Sequence, residues 1–462
     1  MPMDEFAGQR IAVIGLAATG LAAARVLRDR GARVRVYEAK PEERLSAETV
    51  RAARGLGAGV MLSLGSEQID WADTDLVVPS PGVPRSAASL RDAVRRGVPV
   101  LGEIEVAYRL ARAPILAITG TNGKTTTTAL LGAICREAGR RTWVAGNIAE
   151  DAGQRLPLIL AAVEAPEDGV IVAEISSFQL EWVERFRPRV GAWLNVANDH
   201  LDRHADFDEY ARAKARLFAT QGPDDAAVLN GDDDNVVRYG SGAGSGRRLL
   251  FSLEREAAGC LRGETLWVAG QRLMDAAGVP LPGRHNVANV LAAACMAADS
   301  GISLPSIRAA VSGFQGVAHR MELVATRCGV RYVNNSMCTN PAAVAASLEA
   351  AGGPVVAIMG GKHKGGDLSA MARSVKESAN KVILIGVSAP EIAAALASAG
   401  MRDVERADTL PDAVRRASSA ARPGDTVMLV PGCASFDMFN GFEHRGQVFR
   451  EAVKELTGER DA

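Results

Sequence analysis

The sequence predicts an α/β protein of three domains in series, and three observations carry that reading. Short β-branched segments alternate with helical patterns along almost the whole chain, the rhythm of a parallel sheet covered by helices on both faces. The chain has 462 residues, against roughly 100–200 for a typical domain. Two breaks interrupt the rhythm, near residues 99–103 and 314–319, and divide the chain into domains of residues 1–99, 100–317 and 318–462.

Composition narrows the function. Lys and Arg number 53 against 54 Asp and Glu, a formal charge of −1, which excludes a strongly basic nucleic-acid binder and an acidic disordered chain. Hydrophobic residues at 47% are ordinary for a globular protein and need no covalent staples at this length. Six cysteines are scattered without a CxxC pair, so neither a disulfide framework nor a structural zinc is expected. No apolar run approaches the ~18 residues of a membrane span, and the N-terminal segment lacks a basic region followed by an apolar core. We expect a cytoplasmic monomer with no membrane insertion and no nucleic-acid partner.

In the first domain, residues 10–15 (RIAVIG), 33–37 (RVRVY) and 75–78 (DLVV) read as buried strands, and 21–30 and 89–96 as helices. The turn 15–20 (GLAATG) joins the first strand to a helix. A dinucleotide fingerprint needs a glycine where this chain has Ala17. Two readings stay open: a bare strand–helix turn, or a nucleotide-type ligand other than NAD at the helix start. Glu38 ends the next strand, where such folds read a ribose, and residues 80–84 (SPGVP) would form the neighbouring loop.

In the second domain, 114–120, 169–176 and 189–195 read as strands. Residues 119–125 (TGTNGKT) lie between a strand and a helix, the context of a phosphate-binding loop. Backbone N–H groups would cradle phosphate oxygens, Lys124 would neutralise the β/γ charge, and the Thr125 hydroxyl suits Mg2+. The strict P-loop pattern is not met, because Ile118 stands at its first glycine. Glu174 ends a strand, where a metal-binding acid would sit. In residues 198–202 (NDHLD), Asp199 suits a helix cap, and His200 suits a metal or a phosphate. Lys214, in YARAKARLF, reads by composition as a solvated helix lysine. Asn286 and Asn289 share one face of a helix start at i and i+3. The stretch 239–246 (YGSGAGSG) is expected to be a flexible surface loop.

In the third domain, 354–360, 381–386 and 426–431 read as strands. Thr339 precedes Asn340-Pro341, a helix-start pair. Lys362 and Lys364 follow a strand, as does Ser435. These make three anion-suited loops at strand ends of one domain.

These segments together resemble the Mur ligase family, ATP-dependent amino-acid ligases of peptidoglycan precursor synthesis. The family marks are residues 120–125, Glu174, His200, Lys214, residues 283–289 and His319-Arg320. Residues 174–180 (EISSFQL), 433–437 (CASFD) and 442–446 (FEHRG) resemble the branch that adds D-glutamate to UDP-MurNAc-L-Ala. The resemblance implies a Rossmann-like N-terminal domain for UDP, a central P-loop ATPase domain and a Rossmann-like C-terminal domain. It implies that Gly120, Thr121, Asn122, Gly123, Lys124, Thr125 and Thr126 hold ATP, with Asn286 and Asn289 at adenine and His319 and Arg320 as further nucleotide contacts. Ala17, Ala18, Thr19, Glu38, Ser80, Pro81, Gly82, Asn147, Ser176 and His200 would bind the UDP substrate. Thr339, Lys364, Ser435 and Phe442 would bind glutamate. Two Mg2+ ions are implied, one at Thr125 and Glu174, the other at His200 and Lys214 as a carbamate. Lys124, Glu174, His200 and Lys214 would then serve catalysis. Asn335 and Met337 stand where this branch usually carries an aspartate and a lysine, which leaves another amino acid, such as L-glutamate, open as the substrate.

Overall fold

The computed structural model describes residues 5–57, 59–148, 156–197, 203–281, 283–363 and 367–457. They form two compact units, the first running to Phe314 and the second starting at Gln315. The sheets expected for the first two domains share the first unit.

The smaller sheet of the first unit has four parallel strands in the order Val60–Leu64, Arg33–Glu38, Arg10–Ile14, Leu76–Pro79. Val13 lies opposite both Val36 and Val78. The helix Ala18–Asp29 buries Ala22, Ala23, Ala24, Val26 and Leu27. Its small residues let the helix approach the sheet closely.

The larger sheet has nine strands: Gln271–Asp275, Thr265–Val268, Gly259–Arg262, Arg247–Ser252, Ala226–Asn230, Val190–Trp193, Ile115–Thr119, Val170–Glu174 and Thr142–Gly146. Ile115–Thr119 is buried throughout and pairs with strands on both sides. The chain leaves it for the outer edge, returns on one side, then crosses to the other. That makes its carboxyl end the switch point where α/β folds open a ligand crevice. The helix Lys124–Glu137 starts there and packs on Arg284–Asp299 and Leu304–Gly313.

Strict strand–helix alternation fails at one edge. Gly259–Arg262, Thr265–Val268 and Gln271–Asp275 form antiparallel hairpins. Ala269 (φ +50°) and Gly270 (φ +74°) make one of the turns, supplying the paired positive φ of primed hairpin turns. The stretch 239–246 lies on the surface as expected, with residues 241–245 mostly exposed in turns. Its start belongs to the helix Asp234–Gly240, and its carbonyls wrap the Arg248 guanidinium, which bonds Ser241, Ala243, Gly244 and Gly246.

The second unit holds one six-stranded sheet: Glu322–Arg327, Val330–Asn334, Thr426–Leu429, Val355–Gly360, Ala379–Ile385 and Val404–Arg406. The first strand is an antiparallel edge and the others run parallel. Thr426–Leu429, last in the chain, is inserted between Val330–Asn334 and Val355–Gly360. Three neighbouring strands therefore release their following loops at one edge.

Candidate active site

At the switch point, Gly123 caps the helix Lys124–Glu137 with φ +82°. A Cβ there would be strained and would lie 2.4 Å from Asn289 Oδ1. Asn195, one strand over, fixes the loop. Its Oδ1 accepts from Thr121 N (3.1 Å) and Asn122 N (2.8 Å), and its Nδ2 donates to Asn122 O (3.1 Å). The hydroxyls of Thr121 and Tyr210 meet at 3.0 Å. Lys124 Nζ donates to the Gly120 and Thr121 carbonyls, both at 2.9 Å.

Lys214 corrects its composition-based reading. It is 1% exposed, its Nζ donates to Gly120 O at 2.8 Å, and it lies 4.6 Å from the Tyr210 ring centroid. Two ammonium groups thus converge on the Gly120 carbonyl. Thr125, buried, and Thr126, half-buried, stand in the helix's first turn, where N–H groups and the macrodipole favour an anion.

Glu174 ends its strand beside Ile118, from whose strand the loop departs. It is 2% exposed. Its Oε1 accepts from Asn147 Nδ2 at 3.0 Å, whereas Oε2 is buried with no hydrogen-bond partner. Leaving a carboxylate oxygen buried without a donor is unfavourable, and a cation would relieve it. Asn147 is also tied to Glu174 through its backbone N–H, at 2.9 Å. The Ser176 N–H and hydroxyl both donate to Gln179 Oε1, at 2.9 and 3.1 Å. Asn289 Nδ2 donates to Asn286 Oδ1 at 3.1 Å, so the i, i+3 pair does share a face, and Asn289 abuts Gly123. His200 lies outside the described residues.

The first glycine turn is closed differently. Ser80, 6% exposed, donates its hydroxyl to Gly15 O at 3.3 Å. A Cβ on Gly20 would fall 2.0 Å from that same carbonyl. Glu38 accepts from Leu16 N and Lys40 N, each at 3.0 Å, so its carboxylate is built into the turn. The helix start has no side-chain cap: Ala17 and Ala18 are exposed and Thr19 half-buried. Pro81 is half-buried and Gly82 exposed.

In the second unit, the loops after Asn334, Gly360 and Leu429 meet. Lys362 and Ala434 form a backbone bridge. Ser336 Oγ donates to the carbonyl of Phe442, which opens the helix Phe442–Thr457, at 2.7 Å. Arg445 is fully buried and joins all three loops, donating to Ser336 Oγ (3.0 Å), Ser336 O (2.8 Å), Cys433 O (3.1 Å) and Gly360 O (3.5 Å). Burial lowers its guanidinium to about 10, so it stays charged at neutral pH. Ser435 is buried and Thr339 half-buried beside this junction, while Lys364 lies outside the described residues. His319, at φ +62°, turns its ring inward, with Nδ1 3.0 Å from Asn334 Nδ2. Arg320 beside it is half-buried.

Asn335 is buried. Its Oδ1 accepts from Met321 N (3.1 Å) and its Nδ2 donates to Ser347 Oγ (2.8 Å). An ionised aspartate could not supply that donor, so the neutral residue suits its surroundings. Met337 is half-buried.

Sequence reasoning missed Asn195 and Arg445. Arg445 stands in the FEHRG segment and Asn195 ends a predicted strand, but each bonds backbone groups far away in the chain, so no local pattern shows its role. Among the described residues, no cluster of three or more His, Cys, Asp or Glu is suited to a metal, and no helix is long and apolar enough to cross a membrane.

Comparison with known proteins extends this geometry. Residues 9–102 match the Mur ligase MurD-like N-terminal domain, 118–297 the Mur ligase middle domain, and 319–433 the Mur ligase glutamate ligase domain. The UDP-N-acetylmuramoylalanine–D-glutamate ligase of Pelotomaculum thermopropionicum is 44% identical over 98% of this chain and 99% of its own. The enzyme of that name from Syntrophotalea carbinolica is 42% identical, covering 99% and 100%. Among solved structures, UDP-N-acetylmuramate–alanine ligase of Thermotoga maritima shares the fold, with a TM-score of 0.60 at 19% identity, covering 97% of this chain and 99% of its own.

Proposed function

This chain belongs to the Mur ligase family, and from that premise we propose that it joins D-glutamate to UDP-N-acetylmuramoyl-L-alanine with conversion of ATP to ADP and phosphate, a step of peptidoglycan precursor synthesis. The observation that carries the reading is the 44% identity to a D-glutamate ligase along 98% of the chain. The cationic loop at the sheet's switch point supports it.

A carboxylate does not condense with an amine at neutral pH. In the proposed reaction an oxygen of the alanyl carboxylate attacks the γ-phosphorus of ATP, ADP leaves, and an acyl phosphate forms. The deprotonated amine of D-glutamate then attacks the acyl carbon through a tetrahedral intermediate. The C–O bond to phosphate breaks, and phosphate departs with that oxygen. Lys124 and the helix start at Thr125 and Thr126 would hold the phosphates and offset the charge that moves in the transfer. Asn286 and Asn289 would face the adenine. Ala17, Ala18, Thr19, Glu38, Ser80, Pro81 and Gly82 would take the UDP end of the substrate, and Asn147 and Ser176 the end nearer the carboxylate. Thr339, Lys364, Ser435 and Phe442 would take glutamate.

Mur ligases are ATP-dependent and typically need Mg2+, and the residues here fit that ion. Glu174 offers a buried oxygen without a donor, and Thr125 offers a hydroxyl; both are hard oxygen ligands. When bound, Mg2+ lowers the charge on the phosphate oxygens. We place a second ion at His200 and a carbamate on Lys214. A carbamate keeps one N–H, so the bond to the Gly120 carbonyl would survive the modification.

Phosphate release from ATP tests the function. It should require both UDP-MurNAc-L-Ala and D-glutamate. Release without the UDP substrate, or faster release with L-glutamate, would overturn it.

A further inference from the structure

Inside the first unit, Arg203 sits where the loop after Leu76–Pro79 meets the segment leaving Glu174. Its side chain is 12% exposed and pairs at two points with Glu181, 4% exposed: Nε to Oε1 at 3.1 Å and Nη2 to Oε2 at 2.8 Å. The same guanidinium donates to the carbonyls of Pro81 (3.2 Å), Gly82 (3.3 Å) and Val83 (2.9 Å). Its carbon lies 4.7 Å from the Phe178 ring centroid. From there the contacts continue to the phosphate loop. Phe178 lies 5.7 Å from the His204 ring, and His204 lies 5.4 Å from the Tyr210 ring. His204 Nε2 is 3.2 Å from Ser177 Oγ, and Tyr210 OH is 3.0 Å from Thr121 Oγ1.

A buried ion pair adds little stability over apolar packing of the same volume. What a guanidinium supplies uniquely here is direction, a rigid fork of donors that fixes three consecutive carbonyls of an irregular loop. We propose that Arg203 is a positioning residue. It sets the distance between loop 80–83 and the phosphate loop, so that a substrate anchored by UDP at one end presents its carboxylate at the other. This rests on the proposed ligase reading. UDP alone rests on loop 80–82 at one end and should sense only the loosening of that loop, whereas the whole substrate spans both ends and should lose more.

The test uses Arg203→Lys, Glu181→Gln and Arg203→Ala in the full chain, measuring the Kd of UDP, the KM of each substrate, and kcat. Arg203→Lys and Glu181→Gln should raise KM for UDP-MurNAc-L-Ala about tenfold, the worth of a lost charge-assisted bond. KM for ATP should change less than about twofold, and the Kd of UDP should rise by clearly less than the KM of the whole substrate, about threefold at most on the same scale. Arg203→Ala should lose about a hundredfold in kcat/KM for the UDP substrate, partly restored by added guanidinium ion. If Arg203→Ala does not fold, the two milder variants carry the test. A parallel rise in the Kd of UDP would make Arg203 a part of the UDP subsite and overturn the strap, as would unchanged kinetics. Wild-type protein unable to turn over UDP-MurNAc-L-Ala would remove the ligase reading itself. An active wild type with an indifferent Arg203→Lys would remove the strap alone.

Discussion

The turn after Ile14 and the turn after Thr119 are both glycine bends at the carboxyl end of an inner strand with parallel neighbours on both sides, and both deliver the chain to a helix start. At residues 120–123 two lysines donate to the Gly120 carbonyl, Asn195 grips the backbone, and a buried carboxylate oxygen waits nearby without a donor. At residues 15–20 the turn is closed by Ser80 and Glu38, and its open face is Ala17 and Ala18. A helix N-terminus is common to both and attracts an anion in either. The added groups set the task. In the proposed reaction a phosphoryl group in transfer needs cations at hand, Lys124 and an ion at Glu174, whereas a diphosphate that is merely held can be served by amides and a dipole.

Removing the cation from the second turn should have the largest effect. Lys124→Ala should lower kcat about a thousandfold or more, the upper range for deleting one preorganised donor, with KM for UDP-MurNAc-L-Ala and the melting temperature little changed. Near-normal turnover would erase the contrast between the turns. Lys214→Ala should cost about a hundredfold in kcat, on the same reasoning. If the lysine acts as a carbamate, short-chain carboxylic acids should restore part of it.

Asn195→Ala removes three bonds to the loop but no charge. We expect KM for ATP to rise about tenfold, roughly one or two net hydrogen bonds, with a smaller change in kcat. Equal losses in kcat and kcat/KM would show that Asn195 acts only in the transition state. The smallest effect belongs to the first turn. Glu38→Gln should raise KM for the UDP substrate by only a few-fold, about 1 kcal/mol, and leave KM for ATP unchanged. A change in the ATP value would mean that the two turns are not separate sites.

Much of this was legible in the sequence, for local reasons. ILAIT reads as a buried strand because every residue is apolar or β-branched, and the glycines and lysine of the phosphate loop are contiguous. Lys214 was half-legible. Tyr210 and Lys214, at i and i+4, share the inward face of the helix Phe207–Ala215, yet a lysine by composition belongs in water. The short hairpin strands were hidden, since QRLMD and GCLR mix polar and apolar residues over too few positions to show a period. The roles of Asn195, Arg203 and Arg445 were hidden for a different reason, although Arg445 stands in the FEHRG segment. Their bonds span 73, 122 and 109 residues, and the partners are backbone carbonyls, amides or a serine hydroxyl that no motif records.

In the proposed reaction the chain transfers a phosphoryl group from ATP to the carboxylate of a UDP-linked substrate. That transfer is tested most directly by labelling both carboxylate oxygens of UDP-MurNAc-L-Ala with oxygen-18 and weighing the phosphate released during turnover with D-glutamate. One labelled oxygen is expected in each phosphate. Unlabelled phosphate, released at the rate of product formation, would contradict the transfer.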